Sequence, residues 1–120
     1  MGATTIGHEM THGFDTNGAE FDATGNMVSI LTANDKAVFR AMANRMDAHF
    51  CNFTYGGGII CNGFMTEREN IADNGGLNIA YEGFMSKTKG EPAERLHAAR
   101  EYFRAFAFGW MDGEERCQVL

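Results

Sequence analysis

A chain of 120 residues, 44 % of them hydrophobic, builds one compact domain with a modest core, residues 1–120, and leaves little room for a second. Sixteen acidic against ten basic residues give a net charge of −6, which repels nucleic-acid phosphates and anionic membranes, so neither is expected as a partner. No apolar run approaches the roughly 18 to 20 residues that cross a bilayer, and the first seven residues lack the basic start and apolar centre of a signal peptide.

The first helix is predicted over residues 3–14, with Gly13 placed where it frays. Residues 15–31, "DTNGAEFDATGNMVSIL", are dense in Gly, Asn and Asp and read as turns around Phe21, with a short extended piece near 27–31. Thr32, followed three residues later by Asp35, resembles an acidic capping box, and Phe39, Met42, Met46 and Phe50 then recur at helical spacing, so a second helix covers 32–50. "CNFTYGGGIICNGF" is a loop, because three consecutive glycines lose too much backbone entropy inside a helix. Thr66 opens the third helix, along which Ile71, Leu77, Ala80, Tyr81 and Phe84 can be buried. Gly75 and Gly76 lower its propensity by roughly 1 kcal/mol each and predict close packing on another backbone. Pro92 suits the first turn of a fourth helix, which runs through Leu96, Ala99, Phe103, Phe106 and Trp110. The sum is a mainly α fold of about four helices joined by Gly/Asn-rich loops.

Three cysteines, Cys51, Cys61 and Cys117, are an odd number, so at most one internal pair forms, and the absence of any C-x-x-C removes a zinc-finger reading. Asn52-Phe53-Thr54 fits the N-glycosylation acceptor pattern, which carries weight only in a secreted protein.

The chemistry concentrates in "TTIGHEMTHGFD". At about 3.6 residues per turn, His8 and His12 stand about 40° apart on one helical face, so their imidazoles can converge on one ion. Catalytic zinc takes three protein ligands of N or O type and keeps a fourth position for water. A metzincin would place its third histidine at position 18 and a glycine at 15; Gly18 and Asp15 stand there, and that pattern fails. Glu69 and Asp73, four apart in "ENIAD", offer the other solution, a ligand and a carboxylate able to accept the N–H of a ligating imidazole. For Glu69 the competing reading is a capping-box glutamate serving Thr66. His49 and His97 lie outside the constellation and are expected on the surface. Phe103, Phe106 and Trp110 are expected in the core, with Trp110 the exception that can line a pocket, and Phe39, Met42, Met46 and Phe50 form either core or an exposed apolar face.

"IGHEMTHGFD", "NGAEFDATGN", "NGFMTERENIADNGGLNIAY" and "EYFRAFAFGW" together resemble the neprilysin-like zinc metallopeptidases of the glutamate-zincin group, over nearly the whole chain and in family order. The resemblance implies the helical core of a thermolysin-like catalytic domain holding one Zn²⁺ and hydrolysing peptide bonds. By it, His8, His12 and Glu69 are the zinc ligands, Glu9 the catalytic base and Asp73 the residue that orients a histidine. It also implies a pocket for an apolar substrate side chain at Thr4, Thr5, Gly109 and Trp110, of which Thr4, Thr5 and Gly109 are smaller or more polar than is usual in the family. Arg68 replaces the usual glycine before Glu69. Relatives carry an edge strand and an Asn-Ala pair upstream, a large second lobe, and a histidine and an arginine downstream. The chain is therefore expected to be a portion of a longer, extracytoplasmic peptidase acting on short peptides, missing an N-terminal lobe and a C-terminal segment and feeble or inactive alone. The rival is a non-catalytic zinc-binding or interaction module from a degenerate or partial paralogue.

Overall fold

The computed structural model describes residues 2–54 and 56–110; Cys117 lies outside them. Four helices, α1 (Gly2–His12), α2 (Ala33–Phe50), α3 (Glu67–Lys87) and α4 (Pro92–Trp110), carry the architecture, with single 3-10 turns at Gly18–Glu20 and Gly56–Gly58. Among the described residues β pairing is limited to one isolated antiparallel bridge, Thr54 with Ile60. The extended piece expected near 27–31 is a series of bends; it finds no strand to pair with among the described residues. None of the described helices is long and apolar enough to cross a membrane.

The helix starts follow from local chemistry. Thr32 caps α2 reciprocally, its hydroxyl accepting from the Asp35 N–H while the Asp35 carboxylate accepts from the Thr32 N–H. The matching box expected at Thr66 does not form, and Glu69 is left to do something else.

Contact between α1 and α3 organises the molecule, and small residues permit it. A Cβ on Gly76 would stand 2.6 Å from the Thr4 carbonyl oxygen and 2.9 Å from the Cα of His8, and a Cβ on Gly7 would stand 2.9 Å from the Cα of Gly76. The backbones touch at the level of the first motif histidine, as the glycine pair predicts. The buried apolar residues are accordingly small, Ala19, Ala43 and Ala72 with Cys61. The larger apolar residues are less enclosed than their periodicity suggests. Phe103 is 46 % exposed, Met42 62 % and Trp110 57 %, so the expectation of a core role for Phe103 is corrected. On α4 no described residue is buried; the helix meets α3 through rings, Tyr81 on Phe103 and Phe84 on Tyr102, and through the Tyr102 hydroxyl, which donates to the Leu77 carbonyl at 2.8 Å.

Asp47 is completely buried on α2. Its carboxylate finds no hydrogen-bond donor among the described residues, only the Glu67 carboxylate, which itself accepts from Thr16 and Arg40. Burial first, then Glu67, pushes the Asp47 pKa up to about 6. Burial acts upward on Glu67 too, but the Thr16, Asp47 and Arg40 bonds outweigh it and hold Glu67 below its ordinary value. A proton retained on Asp47 turns the contact into a hydrogen bond that ties α2 to the first turn of α3.

Candidate metal centre

α1 presents His8 and His12 one turn apart, with the rings edge to face and their centroids 4.6 Å apart. Each ring is gripped at Nδ1. His8 Nδ1 lies 2.8 Å from Asp73 Oδ1, and His12 Nδ1 lies 2.8 Å from Asp15 Oδ2. A neutral imidazole that donates from Nδ1 keeps its lone pair on Nε2. The two Nε2 atoms face each other at 3.0 Å, and Glu69 Oε2 stands 3.4 Å from the first and 3.7 Å from the second.

This donor set fits a metal. Tetrahedral ligands about 2.0 to 2.1 Å from one zinc lie about 3.3 Å from one another, and the three edges here, 3.0, 3.4 and 3.7 Å, bracket that value. Ligand atoms of His8, His12 and Glu69 all fall within 4.8 Å of one another, and no other such group occurs among the described residues. Glu69 is thus placed at the imidazoles and not at Thr66. Arg68 is exposed and forms no ion pair with the three donors.

Asp15 is the participant the sequence reading missed. It is 3 % exposed, and its second oxygen accepts from the Asn17 and Gly18 N–H groups at 2.8 Å. Burial raises its pKa, but the Gly18, His12 and Asn17 bonds prevail and keep the carboxyl below its ordinary range. The Asp15 bond, partly opposed by desolvation, raises the pKa of His12. Its only signal in the sequence is a three-residue offset from His12 before a turn-rich segment.

Beside the donors a cavity of about 160 Å³ opens. α1 lines it with Thr4, Thr5 and Glu9, next to His8, and Asp73 stands opposite on α3. Phe106, Gly109 and Trp110 of α4 complete the wall. The four residues expected at a substrate pocket are thus brought together, and Phe106, expected in the core, joins them. Asn52 is exposed in the loop after α2, its amide donating to the Ala48 carbonyl at 3.0 Å. Cys51 and the buried Cys61 stand at the two ends of the loop that follows α2. His49 and His97 are exposed.

The family model for peptidase family M13 matches residues 1–120. Neprilysin of Homo sapiens is 39 % identical over 113 residues, an alignment covering 88 % of this chain and 15 % of neprilysin. Endothelin-converting enzyme 1 of Mus musculus is 34 % identical over 111 residues, covering 88 % of this chain and 14 % of that enzyme. Among solved structures, PepO from Lactobacillus rhamnosis HN001 superposes with a TM-score of 0.68 at 36 % identity, covering 81 % of this chain and 15 % of PepO. The zinc metalloprotease Zmp1 of Mycobacterium tuberculosis, in complex with an inhibitor, gives 0.67 at 31 %, covering 80 % and 17 %. The chain thus spans about a seventh of the length of these curated relatives. With its helical architecture matched in solved relatives and its whole length matched by the family model, this chain belongs to peptidase family M13.

Proposed function

We propose that the chain is the metal-holding part of a zinc endopeptidase catalytic domain that hydrolyses peptide bonds in short peptides. The observation that carries this reading is the convergence of two Nε2 atoms and one carboxylate oxygen within 4.8 Å, beside a cavity into which the next residue, Glu9, also faces. His8, His12 and Glu69 are the ligands. When bound, zinc supplies a Lewis acid that acidifies a water and polarises a carbonyl.

The chain's own residues supply the rest. Asp73 and Asp15 hold the Nδ1 protons of His8 and His12, which fixes the tautomer and points each lone pair at the ion. Glu9 accepts the proton of the attacking water on its carboxylate and returns it to the leaving amine, so the peptide bond breaks without a covalent enzyme intermediate. The cavity of Thr4, Thr5, Phe106, Gly109 and Trp110 receives a substrate side chain next to the scissile bond. A parent protein outside the cytoplasm is in keeping with a relative named membrane metallo-endopeptidase-like 1 in Mus musculus, 36 % identical over 113 residues.

The test separates binding from turnover. In the parent protein, Glu9→Gln is expected to keep zinc at wild-type affinity while cleavage falls at least about a hundredfold, and a chelator is expected to remove wild-type cleavage. Normal turnover by Glu9→Gln refutes the assignment of the base.

A further inference from the structure

α3 holds the first histidine directly and the second only through intermediaries. Asp73, one turn after Glu69, stands 2.8 Å from His8 Nδ1. His12 Nδ1 is held instead by Asp15, from the segment that follows α1. The tie from that segment back to α3 is made by the next residue. The half-buried Thr16 donates its hydroxyl to Glu67 Oε1 at 2.5 Å. Among the described residues no other hydrogen bond joins segment 13–31 to α3.

Glu67 stands two residues before Glu69, in the first turn of α3. Thr66 supplies that turn with no side-chain cap, and the N–H groups of a first turn lack partners within the helix. Glu67 anchors the turn from its side chain. Its Oε2 accepts from Arg40 of α2 at 2.8 Å, so both oxygens are committed, and the buried Asp47 carboxylate is packed against it. At 2.5 Å the Thr16 bond falls in the range of a hydroxyl held by a charged carboxylate, about twice as strong as a neutral bond.

The contacts form a circuit from His12 through Asp15, Thr16, Glu67 and Glu69, closing across the 3.7 Å between Glu69 Oε2 and His12 Nε2. That separation is the longest of the three donor edges. Between Asp15 and Glu69 the circuit is covalent everywhere except at the Thr16–Glu67 bond. We infer that Thr16 and Glu67 are positioning residues for the metal centre, setting the distance between the His12 imidazole and the Glu69 carboxylate without touching ion or substrate. The inference rests on the reading of His8, His12 and Glu69 as zinc ligands, and it is measured in metal binding instead of turnover. Because metal sites tolerate only about 0.2 Å of displacement, releasing this tie lowers affinity.

The experiment is a competitive chelator titration of the parent protein and its variants. Thr16→Val keeps the shape and removes the donor, and is expected to weaken zinc about tenfold, the lower end of the loss when an outer partner of a ligand is removed. Thr16→Ser restores the hydroxyl and the wild-type affinity. Thr16→Ala stands in if the valine variant does not fold. Glu67→Leu removes the acceptor, and in that background Thr16→Val is expected to cost no further affinity, because both act through one bond. Tyr102→Phe is the structural control, since it deletes a hydrogen bond between α4 and α3 away from the donors; it lowers the unfolding midpoint and leaves zinc affinity unchanged. With Co²⁺ in place of zinc, the visible spectrum shifts in Thr16→Val and not in Thr16→Ser, a change that lost stability alone does not produce. Wild-type affinity in Thr16→Val, no rescue by Thr16→Ser, losses that add in the double variant, or an equal loss in Tyr102→Phe overturns the inference and leaves the three ligands standing. A wild-type protein that binds no zinc overturns the metal reading, and the inference falls with it.

Discussion

The approach of α1 to α3 leaves no room for a methyl group at Gly76. Alanine at position 76 sets a Cβ 2.6 Å from the Thr4 carbonyl oxygen and 2.9 Å from the Cα of His8, where unstrained carbon contacts need about 3.5 to 4.0 Å. α1 and α3 must separate by about 1 Å, since the clashing atoms are backbone and no rotamer relieves them. Overpacking costs up to about 3 kcal/mol, and exchanging glycine for alanine in a helix returns about 1 kcal/mol, so the net loss is about 2 kcal/mol. Gly83 on the same helix supplies the control, because a Cβ there meets nothing within 4 Å. Gly83→Ala is expected to stabilise by about 0.5 to 1 kcal/mol. Urea unfolding followed by circular dichroism therefore moves in opposite directions for the two variants, about 3 kcal/mol apart in all. Because metal sites tolerate only about 0.2 Å of displacement, zinc affinity falls about tenfold or more in Gly76→Ala and not in Gly83→Ala. Equal midpoints for the two variants refute the backbone contact.

Other outcomes follow from single contacts. Asp15→Asn turns an acceptor at His12 Nδ1 into a donor, moves the imidazole proton to Nε2, and is expected to lower zinc affinity about 10- to 100-fold in a competitive chelator titration; unchanged affinity removes Asp15 from the site. Asp47 has a folded pKa near 6 against an ordinary 3.8, so the native state binds its proton more tightly. The stability it contributes is full below about pH 4 and is lost as pH rises through about 6, on the order of 1 to 3 kcal/mol. Asp47→Asn, which donates to Glu67 at any pH, is expected to flatten that slope in thermal unfolding and to melt higher at pH 7; a retained slope refutes the assignment. Tyr102→Phe deletes the hydroxyl that reaches the Leu77 carbonyl and is expected to cost about 1 kcal/mol in urea unfolding, with no change counting against that bond as a tie between α4 and α3.

What could be read from the sequence was whatever chemistry is local. The reciprocal bonds of Thr32 and Asp35 and the position of Pro92 set helix starts within a residue, and two adjacent glycines in a helical pattern announced the approach of another backbone, which is that of α1. Periodicity marked which face of α2 and α4 is apolar but not how closely it is approached, and there the expectation overshot. The buried apolar side chains among the described residues are three alanines and a cysteine, while Met42 and Phe103 stay open. Asp47 defeated the pattern for a related reason. An aspartate in a helix reads as solvent-facing, and its surroundings depend on Glu67 arriving from α3, itself bound to Arg40 of α2. Asp15 depended on the direction the chain takes after His12, which no residue on α1 encodes. Glu69 had two local readings, and only the approach of α1 separates them.

The electrostatics of the centre explain why these side chains need one another. Asp15, Asp73, Glu69 and Glu9 bring four carboxylates around two imidazoles whose Nδ1 atoms are already engaged. Arg68 adds a cation beside Glu69 in sequence but makes no ion pair with the donors. A second neighbouring acid, Glu67, is bound outward to Thr16 and Arg40. Four negative charges facing two lone pairs at 3.0 Å repel in the half-buried space between α1 and α3. A divalent cation at the three donors reverses the sign of those interactions and holds α1 to α3 at the level where Gly7 and Gly76 let the backbones meet. The glycines and the carboxylates therefore serve the same end from opposite sides, one by bringing the donors within reach and the other by making a cation the most favourable thing to put among them.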